Sequence, residues 1–194
     1  STRSADGVLI ATDAGETEAV LERVGAAIAL IKARDPLRHR RMTRDLDRVW
    51  VRLLPGVSGS YRHSIRTCQL DTRFVLAETT SVAVIAATIL HEATHARLMA
   101  CGFDYAEGRR QRIEAICLRR EIAFARTLPD GREVRERAEW ALEAPAATWA
   151  DESLARLGHD DTESQMRHLR FPPWLMRCLL AVRDWRLART SRRE

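Results

Sequence analysis

The chain has 194 residues, of which 45% are hydrophobic and 30% charged; this balance suits one core-forming domain, or one with a helical extension, and excludes a disordered polypeptide. The net charge of +5 is carried almost wholly by arginine, Lys32 being the only lysine, so charge alone says little about partners. The opening STRSADG lacks a basic start followed by an apolar run, so no secretory leader is expected.

Asp13 followed by Glu16 reads as an N-cap with a capping box. From there Val20, Val24, Ala27, Ile28 and Ile31 recur at helical spacing, which predicts a first helix to about Arg34. Asp35-Pro36 ends it, because the residue before proline is pushed out of the helical region, and a short arginine-rich helix follows. Residues 49–54 (VWVRLL) are β-branched and aromatic and close on Pro55-Gly56, so they read as a strand. Residues 60–70 and 73–77 read as two more strands around a turn at Asp71, giving a small, mostly antiparallel sheet.

Thr79, Thr80 or Ser81 then caps a strongly apolar helix over residues 82–101, and Gly102 stands where a left-handed C-cap is favoured. A polar loop leads to a second long helix over residues 109–128; Pro129-Asp130-Gly131 is a turn, and another helix covers residues 132–143. The remainder looks helical, with a break at Phe171-Pro172-Pro173. Its stretch Trp174, Leu175, Leu179, Leu180, Val182, Trp185 and Leu187 is amphipathic and reads as core covering, although an arginine-rich polar face keeps surface binding open. The expected plan is α+β, with a core at residues 1–128 and a helical extension at residues 129–194 packed on it.

Cys68, Cys101, Cys117 and Cys178 are scattered with no CxxC pair, and they read as buried free thiols that favour a reducing, cytoplasmic setting. The longest apolar run is broken at Thr88 and meets His91, Glu92 and His95 directly, so no transmembrane segment is expected. Arginine-rich stretches at 38–44, 109–112 and 183–193 leave nucleic-acid binding open but not favoured, since acids accompany most of them.

Residues 91–95 read His-Glu-Ala-Thr-His, the HExxH pattern. Two histidines four apart on a helix stand one turn above each other, so both imidazoles can reach one ion. Zinc lowers the pKa of bound water to about 7, and Glu92 beside the histidines is placed to take its proton as general base. The apolar segment 82–90 delivers these ionisable groups from a buried helix, where they are costly unless paired or ligating metal. The plainer alternative is a pair of surface histidines on a helix leaving the core.

A catalytic zinc needs a third protein ligand. Glu114, among Ile113, Cys117, Leu118 and Ile122, is the leading candidate; Glu107 and Glu121 are the others, and Glu121 also reads as an acceptor for a histidine N–H. Tyr105 is the first choice for an oxyanion donor, set against simple packing of its ring, with His159 and His168 as alternatives.

Over about residues 47–126 the chain resembles the gluzincin metallopeptidases, in their minimal single-domain form, through His91, Glu92, His95 and Glu114. The resemblance implies a zincin-like sheet whose edge strand receives an extended peptide, an active-site helix followed by a glutamate helix, zinc as cofactor, and hydrolysis of peptide or amide bonds. The acid that often follows the glutamate ligand by one turn is Leu118 here. A non-catalytic zincin-fold binding module and a basic nucleic-acid-associated protein are the other readings; substrate and oligomeric state are left open.

Overall fold

The computed structural model describes the backbone of residues 1–190 and their side chains except those of His159 and residues 183–190. The expected basic stretch at 183–193, Trp185, Leu187 and His159 therefore lie outside the described side chains.

The chain opens with a hairpin, β1 (Thr2–Ala5) against β2 (Val8–Thr12). Asp6 (φ 47°) and Gly7 (φ 86°) both sit in the left-handed region, the backbone that a two-residue hairpin turn demands. Helices α1 (Thr17–Arg34) and α2 (Pro36–Asp45) then carry the chain over to β3 (Arg48–Arg52), which lies parallel to β2. Next come β4 (Gly59–Arg62), a single 3-10 turn, and β5 (Thr67–Asp71); β5 is parallel to β3 and antiparallel to β4. The strand order is β1-β2-β3-β5-β4, so β1 and β4 are the edges.

The α+β plan with one small sheet holds, but the sheet is mixed rather than mostly antiparallel, because two of its four pairings are parallel. The β2–β3 pair is parallel because α1 and α2 form a crossover between them, and β3 and β5 are parallel because the chain returns through β4. Three local expectations are corrected as well. Asp13 does not cap α1, which starts at Thr17 with Glu16 at its N-cap and no side-chain cap. Residues 60–70 are not one strand, since the 3-10 turn at His63–Ile65 separates β4 from β5.

Residues 73–77 are not a strand either; α3 spans Thr72–Leu76. The Asp71 carboxylate accepts hydrogen bonds from the backbone N–H of Arg73 (2.8 Å) and Phe74 (3.2 Å), and this cap outweighs the β preference of Phe74 and Val75.

Helix α4 (Val82–Ala100) runs through the middle of the molecule, in contact with α1, α2, β4 and α5 (Glu107–Ala125). Ser81 caps it by accepting from the Val84 N–H at 3.2 Å, and Gly102 follows its end at φ 83°. Neighbours on every side explain why residues 84–90 are all buried and why the segment shows no polar face. The Thr88 and Thr94 hydroxyls are satisfied within the helix, donating to the carbonyls of Val84 and Leu90. Ile10, Val49, Val51 and Leu70 of the sheet pack with Val24 and Ile28 of α1, Ile85 and Ile89 of α4, and Phe124 of α5. Each such side chain contributes about 1.5–3 kcal/mol of burial.

After α5 come α6 (Arg132–Leu142), a 3-10 turn at Ala146–Trp149, α7 (Asp151–Asp160), α8 (Thr162–His168) and α9 (Pro173–Thr190). Asp161 pins this region to the sheet side, accepting from the Gly56 N–H (3.0 Å) and from both terminal nitrogens of Arg73 (2.8 and 2.6 Å). The expected core-covering face of α9 is not met along its described length: Met176 is buried, but Trp174, Leu179 and Val182 are exposed. Two of the four cysteines expected to be buried, Cys101 and Cys178, are exposed, whereas Cys68 and Cys117 are buried; all four are free thiols. Among the described residues no helix is long and apolar enough to cross a membrane.

Candidate metal centre

The HExxH segment occupies the middle of α4, where the helix leaves the apolar core and meets α5. His91 and His95 share one face, their ring centroids 5.0 Å apart. Glu114 reaches them from α5: one carboxylate oxygen lies 3.0 Å from His91 Nε2 and the other 3.4 Å from His95 Nε2. Two turns further along α5, the Glu121 carboxylate stands 2.6 Å from His91 Nδ1. All four groups expected from the sequence thus converge where α4 and α5 cross.

The electrostatics follow from this crowding. Burial alone would favour a neutral His91, but its contacts with Glu114 and Glu121 more than offset that and hold its pKa well above the ordinary histidine value. Burial pushes the Glu114 carboxyl up, yet His91 and His95 outweigh burial and hold it well below the usual carboxylate range. Buried carboxylates around two imidazoles require a cation among them, either a proton on a ring or a metal ion.

The donor set fits a divalent transition metal. With Glu121 positioned to accept from Nδ1–H of His91, Nε2 faces Glu114 and would offer its lone pair to an ion held between them. Two imidazoles and a carboxylate make a normal zinc set.

Glu92 is buried and lines the cavity beside the histidines, and no hydrogen bond from the described residues reaches its carboxylate. Burial raises its pKa, with His91 and His95 pulling the other way. Its position under the edge strand depends on Gly59. A Cβ there would stand 2.8 Å from Thr88 Cγ2 and 3.1 Å from Glu92 Oε1, so only glycine lets β4 lie this close to α4.

Tyr105, in the loop between α4 and α5, is brought to the centre. Its ring packs edge-on against His95, with centroids 5.1 Å apart, and its hydroxyl donates to Glu114. Arg110 stacks over the Tyr105 ring and anchors it to the C-terminal region through the Trp149 carbonyl (2.7 Å) and Asp151 (2.6 Å). Glu107 is not part of the centre, since its carboxylate instead accepts from the Asp151 N–H at 3.0 Å. His168 lies at the exposed end of α8, away from the cavity lining.

A cavity of about 680 Å³ opens from Glu92, His91 and His95. Leu98, Met99, Phe103, Leu118, Trp140 and Leu157 give it an apolar wall, and residues 56–61, ending in the edge strand β4, form one side. Concave, apolar spaces of this size with a few convergent polar groups are the usual form of a small-ligand or peptide-side-chain site.

Two residues of the site stand out only in the folded molecule. Gly59 carried no local signal, because its constraint comes from a helix thirty residues away. Cys117 read as an ordinary buried thiol, but its sulfur and the ring nitrogens of His91 and His95 lie within 4.8 Å of one another. Its signal was spacing, since Glu114, Cys117 and Glu121 stand at i, i+3 and i+7 on one face of α5.

Of the basic stretches, Arg38 and Arg44 pair with Asp35 and Asp45, and Arg109 and Arg110 with Asp104 and Asp151. Compared with known proteins, the chain matches no protein-family model, no curated protein and no solved structure.

Proposed function

We propose that the protein is a zinc-dependent metallopeptidase of the gluzincin type, hydrolysing peptide or amide bonds. The observation that carries this reading is the free Glu92 carboxylate, buried at the head of a cavity beside the convergent His91, His95 and Glu114. His91, His95 and Glu114 would hold the ion, which supplies Lewis acidity and brings the pKa of a coordinated water to about 7. Glu92 would serve there as general base toward an attacking water and then as general acid toward the departing amine. Glu121 keeps His91 in the tautomer that offers Nε2. Tyr105, whose hydroxyl donates to Glu114, would be the hydroxyl placed to serve a developing oxyanion. The edge position of β4 along the cavity suits a substrate that binds extended, adding its backbone to the sheet.

Zinc content and cleavage of a broad peptide mixture, measured for the wild type and Glu92→Gln, test the reading. Stoichiometric zinc in both with cleavage only in the wild type supports a peptidase. Zinc in both without cleavage in either points to a non-catalytic module, and absence of zinc from the wild type rejects the centre.

A further inference from the structure

The crossing of α4 and α5 brings together more donors than a hydrolytic zinc site uses. His91 and His95 stand four residues apart on α4, and Glu114 and Cys117 stand three apart on α5, so each helix sends two donors from successive turns into one space. Cys117 is 0% exposed and forms no disulfide. A buried free cysteine usually acts as a small hydrophobe among apolar side chains. This one has its sulfur within 4.8 Å of ring nitrogens of both His91 and His95.

We propose that Cys117 is a fourth protein ligand of the ion, so that the resting centre is His91, His95, Glu114 and Cys117. This rests on the reading above that the site holds a divalent metal. On binding, the Cys117 S–H bond breaks, its proton passes to solvent, and a metal–sulfur bond forms. Four protein donors make a closed, tetrahedral site of the structural kind, whereas hydrolysis needs one position for water. Cys117 is then a regulatory residue, since the centre becomes competent only when the sulfur gives up its place. A thiolate also favours zinc or cobalt over magnesium, calcium or manganese, which prefer oxygen donors.

Cobalt(II) replacement tests this without reference to activity. The wild type loaded with cobalt is expected to show visible d–d absorption together with a near-ultraviolet thiolate-to-cobalt charge-transfer band. The band is lost in Cys117→Ser and Cys117→Ala, while a variant keeping Cys117 as its only cysteine (C68A/C101S/C178S) retains it. Zinc affinity of Cys117→Ala, measured by chelator competition, falls at least about tenfold. Should the Cys117 variants fail to fold, the wild-type spectrum and the single-cysteine variant still decide. Cobalt that binds through His91, lost in His91→Ala, with no charge-transfer band overturns the sulfur ligand and leaves the metal centre standing. A wild type that binds no cobalt overturns both.

Discussion

Glu121 meets His91 Nδ1 at 2.6 Å on the ring edge opposite the one facing Glu114. The single helix α5 therefore supplies both the carboxylate between the two histidines and the one on the far edge of the His91 ring. The two glutamates are seven residues apart, two turns on the same face. Glu121→Gln is expected to weaken zinc binding about 10- to 100-fold with the fold retained, because the amide no longer enforces the tautomer. Chelator competition reads the affinity; an unchanged dissociation constant would remove Glu121 from the centre.

Metal binding should also appear as stability. At free zinc about a thousand times the dissociation constant, the folded state gains about 4 kcal/mol, which raises Tm by roughly 10 °C for a chain of this size. Differential scanning calorimetry with and without zinc checks this. His91→Ala should show no zinc-dependent rise, and an equal rise in both proteins would place the ion elsewhere.

At Gly59 the edge strand β4 lies close against α4, where an added Cβ would stand 2.8 Å from Thr88 Cγ2. Gly59→Val is expected to cost about 1–3 kcal/mol by overpacking and to push Glu92 from its place. Denaturant titration reads the first effect and peptide cleavage the second. Wild-type stability in the variant would mean that β4 moves away freely.

Asp161 tests how the C-terminal helices are held. Hydrogen bonds from Arg73, chiefly, lower its pKa from the ordinary 3.8 to about 2. A carboxyl depressed in the folded state stabilises above its ordinary value and loses that contribution as pH falls through the folded value. The contribution is about 1 kcal/mol after solvent screening, present at pH 5 and lost between about pH 4 and 2. Asp161→Asn should therefore be less stable than wild type at pH 6 and closely similar at pH 2. Chemical denaturation at the two pH values measures the difference, and a constant gap would dissociate the ion pair from stability.

Much of this arrangement was legible in local spacing. The four-residue interval of His91 and His95, the apolar run before them, the Ser81 cap and Gly102 after the helix all act within one or two turns, so sequence alone predicts α4 and one face carrying two imidazoles. Glu114 was legible as a carboxylate on an apolar stripe in need of a partner, and Glu121, on the same face, as either a histidine acceptor or a partner of neighbouring arginines. The hairpin at Asp6-Gly7 was not read from the sequence, because the short strands on either side of it show no apolar alternation that attracts notice.

What only the tertiary structure decided are relationships between distant segments. Parallel pairing of β2 with β3, the strand order that leaves β4 at the edge, the close approach at Gly59 and the placing of Cys117 beside the histidines all depend on how elements far apart in the chain meet. Helical and strand periodicities report which face of an element is buried, not what is buried against it. A residue's partner across a helix crossing is a matter of three-dimensional packing, so the chain by itself announces two histidines on one helix, while the folded molecule selects which groups surround them.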